Sequence, residues 1–212
     1  MNRTKPVKTI EGDAFYEETI RKSRFLAWAT RIDSVDAAAA FLDSARRPDA
    51  SHNCWAYRFG PVYRFSDDGE PGGTAGRPIY MAIDSQEMDC IAVMVTRYFG
   101  GIKLGVGGLA RAYGGVAARC LGSAVILIIR EQITCDIAVP FDRTGPMYTV
   151  LDHFVDVQRL DESYSPSGHH FRLQIDADRF DSFRCAVIEA TAGRATIEIL
   201  PQDPDAPITI PP

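Results

Sequence analysis

The chain has 212 residues, 46% of them apolar and 24% charged, at a formal net charge of −5, a balance that supplies one or two packed cores and excludes disordered and collagen-like classes. The longest aliphatic run, Val125 to Ile129, is far short of a membrane span, and no apolar stretch follows Lys5 and Lys8, so a cytoplasmic protein with no membrane contact is expected. Charge divides unevenly: residues 1–130 hold 17 Lys and Arg against 14 Asp and Glu, whereas residues 131–212 hold 6 against 14, which points any nucleic-acid contact to the first part.

Phe15 to Ile20 and Phe25 to Ile32 read as a strand pair across the charged turn Arg21-Lys22-Ser23. Ser34 suits an N-cap for a helix whose apolar positions are Val35, Ala38, Leu42 and Ala45, with Arg46 and Arg47 at its negative end and Pro48 as its stop. Asn53 to Phe59 and Val62 to Phe65 form a second hairpin around Gly60-Pro61. A short helix is predicted near Pro78, followed by Ile91 to Val95, apolar on both parities and so a central strand covered on both faces. Leu109, Ala112, Tyr113, Val116 and Cys120 mark one face of a helix from Gly107 to about Gly122.

Beyond Arg130 the pattern becomes an even alternation. A strand through Ile133 to Val139, a helix through Met147 to Phe154, strands near Val155 to Leu160 and His170 to Ile175, a helix through Phe180 to Val187 closed by Gly193, and a strand through Ala195 to Ile199 give βαββαβ. That is the order of a ferredoxin-like domain with one open sheet face. Thr134, Asp136, Arg172, Gln174, Thr196 and Glu198 fall on that face, without the aromatics of an RNA-recognition sheet. The reading is therefore α+β in two domains, a mixed-sheet domain over 1–130 and a ferredoxin-like domain over 131–200, with a proline-rich tail over 201–212.

Two glycine-rich blocks carry the chemistry: 66–78, with Asp67, Asp68, Glu70 and Arg77, and 96–113, with Arg97, Lys103 and Arg111. The strand, turn and helix order of the second puts backbone amides at a helix N-terminus, where Gly100, Gly101, Gly107 and Gly108 would donate to an anion. Arg77, Arg97, Lys103 and Arg111 would hold it, while Asp67, Asp68 and Glu70 would orient the arginines or act as acid-base groups. The structural alternative pairs Arg97 with Asp67 or Asp68, and Glu70 with Arg77. The Lys of a P-loop is absent. His52 and Cys54 point the same way about 7 Å apart, long for a base and its nucleophile, and with Arg58 they line the site at most. Trp55, Tyr57 and Phe59 read as core first and as a base-stacking platform second. The five cysteines are odd in number and lack any CxxC pair, which implies reduced thiols and no structural zinc; no cofactor or metal is expected.

Lys22-Ser-Arg-Phe25, His52-Asn-Cys54 with Ala56-Tyr-Arg58, Ser66-Asp-Asp-Gly-Glu-Pro71 with Gly73-Thr-Ala-Gly76, and Thr96-Arg-Tyr-Phe-Gly-Gly101 with Lys103-Leu-Gly105, Gly107-Gly-Leu109 and Arg111-Ala-Tyr113 together resemble the IMPACT family, including its bacterial YigZ-like members. Gly72, Val106 and Gly114 depart from the usual pattern. The resemblance implies a first domain akin to a translation-factor and ribosomal-protein fold, and a second similar to the last domain of elongation factor G. It also implies a role in translational control or stress response, since eukaryotic members compete for a protein that activates a translation-initiation-factor kinase. The expected partners are rRNA, tRNA or a ribosome-associated protein. An enzyme acting on a small phosphorylated or carboxylated ligand, and a protein-interaction role for the acidic second domain, remain the alternatives.

Overall fold

A computed structural model of the protein describes residues 6–201. Most of the proline-rich tail expected over 201–212 lies outside the described residues. Within them the fold is mixed α/β, with five α-helices and three sheets. The chain divides into two compact units, Val7–Ile128 and the residues from Ile129 onward.

The first unit is built on a five-stranded sheet. Its strands are β2 (Ala14–Ile20), β3 (Ser23–Arg31), β4 (His52–Phe59), β5 (Val62–Ser66) and β6 (Ile91–Tyr98), in the order β2-β3-β6-β4-β5. Every neighbouring pair is antiparallel, which corrects the expectation of a mixed sheet. The reason is topological. β3 and β4 are linked by a crossover through α1 (Val35–Ala45) and run parallel to each other, and β6 inserts between them against both. β6 is the central strand covered on both faces that its unbroken apolar run predicts, buried from Ile91 to Arg97.

Helices α2 (Gly76–Ser85) and α3 (Val106–Gly122) cover one face, packing Ile79, Ile83, Tyr113 and Val116 against Phe25, Ala27, Val93 and Val95. The other face is covered by α1, whose Ala38 and Leu42 meet Tyr57, Ala92 and Met94, with Trp55 and Phe59 at the margin. Those three aromatics therefore serve the core. Ser34 caps α1 as its sequence implies, its Oγ accepting the Ala37 N–H at 3.0 Å, a contact that contributes about 1 kcal/mol. Arg46 is not spent on that helix's carbonyl end; its guanidinium reaches Asp68. Two short strands escape the sequence reading: β1 (Val7–Ile10) pairs with β7 (Ile126–Ile129). Neither alternates in sequence: Ile126 to Ile129 is apolar at every position, and Val7 to Ile10 puts Thr9 on the face of Val7.

The second unit contains β8 (Gln132–Val139), α4 (Thr144–His153), β9 (Gln158–Ser165), β10 (Gly168–Asp176), α5 (Phe180–Ala190) and β11 (Thr196–Ile199). Its antiparallel sheet has the order β11-β8-β10-β9. Cys135, Ile137, Phe171 and Leu173 pack under Met147, Val150, Phe183 and Val187 of the helices. On the other face Arg172 forms a two-pronged ion pair with Asp136, 2.8 Å at each contact, and Glu198 lies opposite Asp136 in the register. The strand expected at Val155 to Leu160 starts later, at Gln158, because α4 runs to His153 and Val155 is left exposed in the connection. Four of the five cysteines are buried; Cys185 is exposed on α5.

Candidate functional site

Strand alternation and register assemble the site at one end of the five-stranded sheet. Arg97 on β6 lies opposite His52 on β4 and Phe25 on β3, so all three face the side covered by α2 and α3. Glu70, carried by the loop between β5 and α2, meets them there. Its Oε1 accepts from Arg97 Nη1 at 2.6 Å and from the Tyr113 hydroxyl at 2.8 Å. Glu70 belongs to the first glycine block, Arg97 and Tyr113 to the second, so the two blocks meet in space. Arg97 and Glu70 are both buried. The arginine does not pair with Asp67 or Asp68, nor does Glu70 pair with Arg77.

Arg97 Nη2 donates to Ser23 Oγ at 3.2 Å, and the same oxygen accepts the Gly100 N–H at 3.3 Å, which ties the start of β3 to the second glycine loop. The guanidinium also lies 5.5 Å from the Phe25 ring and 5.3 Å from the Phe99 ring, within cation–π range. Gly100 is required sterically, since a Cβ there would fall 1.8 Å from the Lys22 carbonyl oxygen.

Asp67 and Asp68 also have defined partners. Asp67 accepts the N–H groups of Gly73, Ala75 and Gly76 at 2.8 to 2.9 Å, which caps the start of α2 from a distance in sequence. Burial raises its pKa, but the three amides outweigh it and hold the carboxyl below its ordinary value. Asp68 accepts the Asn53 N–H at 2.6 Å and pairs with Arg46. His52 Nδ1 lies 2.8 Å from the Asp68 carbonyl oxygen. A carbonyl only accepts, so that nitrogen carries a proton, and Nε2 faces Glu70 Oε1 at 3.8 Å. Cys54 donates to the Asp67 carbonyl at 3.0 Å, and burial pushes its thiol up to about 12, out of reach as a neutral-pH nucleophile.

The second glycine block presents a different surface. Gly105 sits at φ +73° at the N-cap of α3 and offers no side-chain cap, so the first-turn amides of Val106, Gly107 and Gly108 lack an acceptor from the helix itself. Arg111, exposed one turn on, folds back over Gly107, its Nη1 3.5 Å from where a Cβ would stand. Lys103 and Gly101 are exposed in the preceding loop. Among the described residues neither Lys103 nor Arg111 has a carboxylate partner.

Arg58 shares the strand face of His52 and Cys54 but sits six residues along β4, about 20 Å from His52. It pairs with Asp84 of α2 at 3.0 Å and does not line the site. Arg77 lies exposed in the first turn of α2. Sequence reasoning gave no role to Ser23 or Tyr113, whose polar atoms complete the Glu70–Arg97 network; a tyrosine on an apolar helix face was the available signal. Among the described residues no group of three His, Cys, Asp or Glu side chains is arranged to hold a metal ion.

These residues coincide with a family match. The Impact N-terminal domain model covers residues 21–121, which include both glycine blocks. A Thermus thermophilus relative described as an IMPACT family member in the pol 5' region is 46% identical over 158 residues, 74% of this chain and 86% of its own. The chain belongs to the IMPACT family. The Bacillus subtilis (strain 168) family member YvyE is 40% identical over 200 residues, spanning 90% of this chain and 89% of its own. Escherichia coli (strain K12) YigZ is 47% identical over 105 residues, 46% of this chain and 52% of its own. A crystal structure described as that of a hypothetical protein matches with a TM-score of 0.58 at 28% identity, covering 93% of this chain and 98% of that one.

Proposed function

We propose that this IMPACT family member is a cytoplasmic accessory factor of translation or stress response that binds rRNA or tRNA through its first unit. The observation that carries this reading is the pairing of Lys103 and Arg111, both free of carboxylates, with the uncapped N-terminus of α3. Phosphate oxygens match that combination of two cations, free amides and helix dipole. Arg97 holds the loop's base and Lys103 and Arg111 meet the ligand. The excess of basic over acidic residues in 1–130 favours RNA contact on this part, and the acidic remainder disfavours it there. The βαββαβ order and the strand arrangement β11-β8-β10-β9 support a ferredoxin-like second domain akin to the last domain of elongation factor G, and the family supports a first domain related to translation-factor and ribosomal-protein folds.

Co-sedimentation with ribosomal subunits, together with tRNA titration at low and physiological salt, tests the reading. Wild-type binding should weaken with salt, and Lys103→Ala with Arg111→Ala should reduce it without lowering the melting temperature. Absence of wild-type binding at low salt overturns the proposal; unchanged binding by the double variant moves the contact away from α3.

A further inference from the structure

The edge of the five-stranded sheet carries a second, chemically different surface. β5 ends the strand order, so one of its sides is unpaired among the described residues. Tyr63 and Phe65 share the face turned toward α2 and are 52% and 41% exposed. Both rings range against Tyr80 of α2: Tyr63 stacks on it with centroids 4.5 Å apart and planes at 22°, and Phe65 stands 6.3 Å away at 31°. Met81, next to Tyr80 in α2, is half exposed. A solvent-facing aromatic row on an edge strand costs solubility and invites association, so its presence calls for an occupant.

Charge narrows the choice of occupant. Arg77 stands one helical turn before Tyr80 and Met81, exposed and without a carboxylate partner among the described residues. Tyr63 lies opposite Arg58, and of the two carboxylates near Tyr80, Asp84 pairs with Arg58 at 3.0 Å and Asp89 accepts the Gly60 N–H at 2.7 Å. Aromatic rings in a row beside an unspent arginine suit a strand of unpaired bases whose phosphates run alongside. Every base offers a π-face, and rings already fixed by mutual stacking lose little freedom on binding. A duplex hides its base faces and gains nothing from such a row.

We propose that Tyr63, Phe65 and Tyr80, with Arg77, form a stacking surface for single-stranded RNA on the first unit. This rests on the reading that the unit binds RNA, and adds to it the preference for unpaired bases. The aromatics carrying it are not Trp55, Tyr57 and Phe59, which the core consumes.

The test is fluorescence anisotropy of the full chain with a labelled RNA of roughly 12 nucleotides, within the range of a single-strand site, presented alone or annealed to its complement. The Tyr63→Ala, Phe65→Ala double variant should weaken single-strand binding about fivefold or more while duplex binding stays unchanged, and Tyr63→Trp with Phe65→Tyr should retain it. Lys103→Ala with Arg111→Ala should weaken both forms. If the aromatic variant binds the single strand as the wild type does, or loses both forms equally, the stacking surface is overturned while the α3 site stands. If the wild type binds neither form, both readings fail. Because Tyr63 and Phe65 pack on Tyr80, the alanine variant should melt somewhat below wild type, and its unchanged duplex binding, with retained single-strand binding by Tyr63→Trp with Phe65→Tyr, separates a loss of stacking from a loss of fold. Dimers in solution that disappear in the same variant, with no RNA preference, would identify a second copy as the occupant and overturn the proposal.

Discussion

The two glycine blocks contain similar residue types and put them to opposite uses. In the first, every carboxylate is consumed internally: Asp67 by three amides, Asp68 by Asn53 and Arg46, Glu70 by Arg97 and Tyr113. In the second, Arg97 alone is consumed, while Lys103 and Arg111 stay in solvent beside unpartnered amides. Charge that is buried and paired holds a shape, and charge that is exposed beside free donors is available to a ligand. Arg77 apart, the first block is therefore the buttress and the second the surface.

The largest expected effect comes from breaking the buttress at its centre. Glu70→Ala leaves Arg97 buried without its counter-ion and should cost about 3–5 kcal/mol, read by denaturant unfolding. Substituting both partners, Glu70→Gln with Arg97→Met, should cost less than the single change if the penalty is the orphaned charge. Gly100→Ala comes next, because its Cβ meets the Lys22 carbonyl oxygen and the loop must move; a loss of about 1–3 kcal/mol is expected, with weakened RNA binding if the loop positions Lys103.

Asp67→Ala removes a cap and should cost about 1 kcal/mol near neutral pH. Its sign with pH is fixed by the lowered pKa. The folded carboxyl binds its proton below the ordinary value near 3.8, so its contribution is full above that value and is lost as pH falls through the folded pKa. The gap between wild type and Asp67→Ala should therefore close in acid. A gap that does not narrow as the pH falls below the ordinary carboxylate range would mean the amides do not depend on the charge. The smallest stability effect belongs to Lys103→Ala with Arg111→Ala, within about 0.5 kcal/mol of wild type. Its effect on binding should be the largest of the series. The slope of log affinity against log salt should fall by about 1.4–1.8 if two phosphate contacts are lost.

Local elements were legible where periodicity was long enough to read. The N-cap at Ser34, the doubly covered strand through Ile91 to Val95, the helix face of Leu109 to Cys120 and the alternation after Arg130 follow from spacing. β1 and β7 were not legible because their four residues carry no period, and the partner that orders each lies more than a hundred positions away. The same distance hid the site's wiring. Arg97 had three acidic residues within reach by sequence, and spacing offered Asp67 or Asp68. Register chose Glu70, because Arg97 faces the α2 and α3 side, where Tyr113 shares the carboxylate. Arg58 shows the converse error: the sequence reading groups it with His52 and Cys54 as site lining, but its position along β4 carries it away from His52 to Asp84.

The sequence by itself determined the family, the order of most elements, and the two blocks in which glycine and charge concentrate, since these depend on residue type and short-range spacing. The tertiary structure decided that β6 lies between β3 and β4, that Glu70 neutralises Arg97, and that Tyr63, Phe65 and Tyr80 line one edge. Those outcomes arise from contacts between residues far apart in the chain, whose energies depend on which groups burial brings together and leaves no water to satisfy.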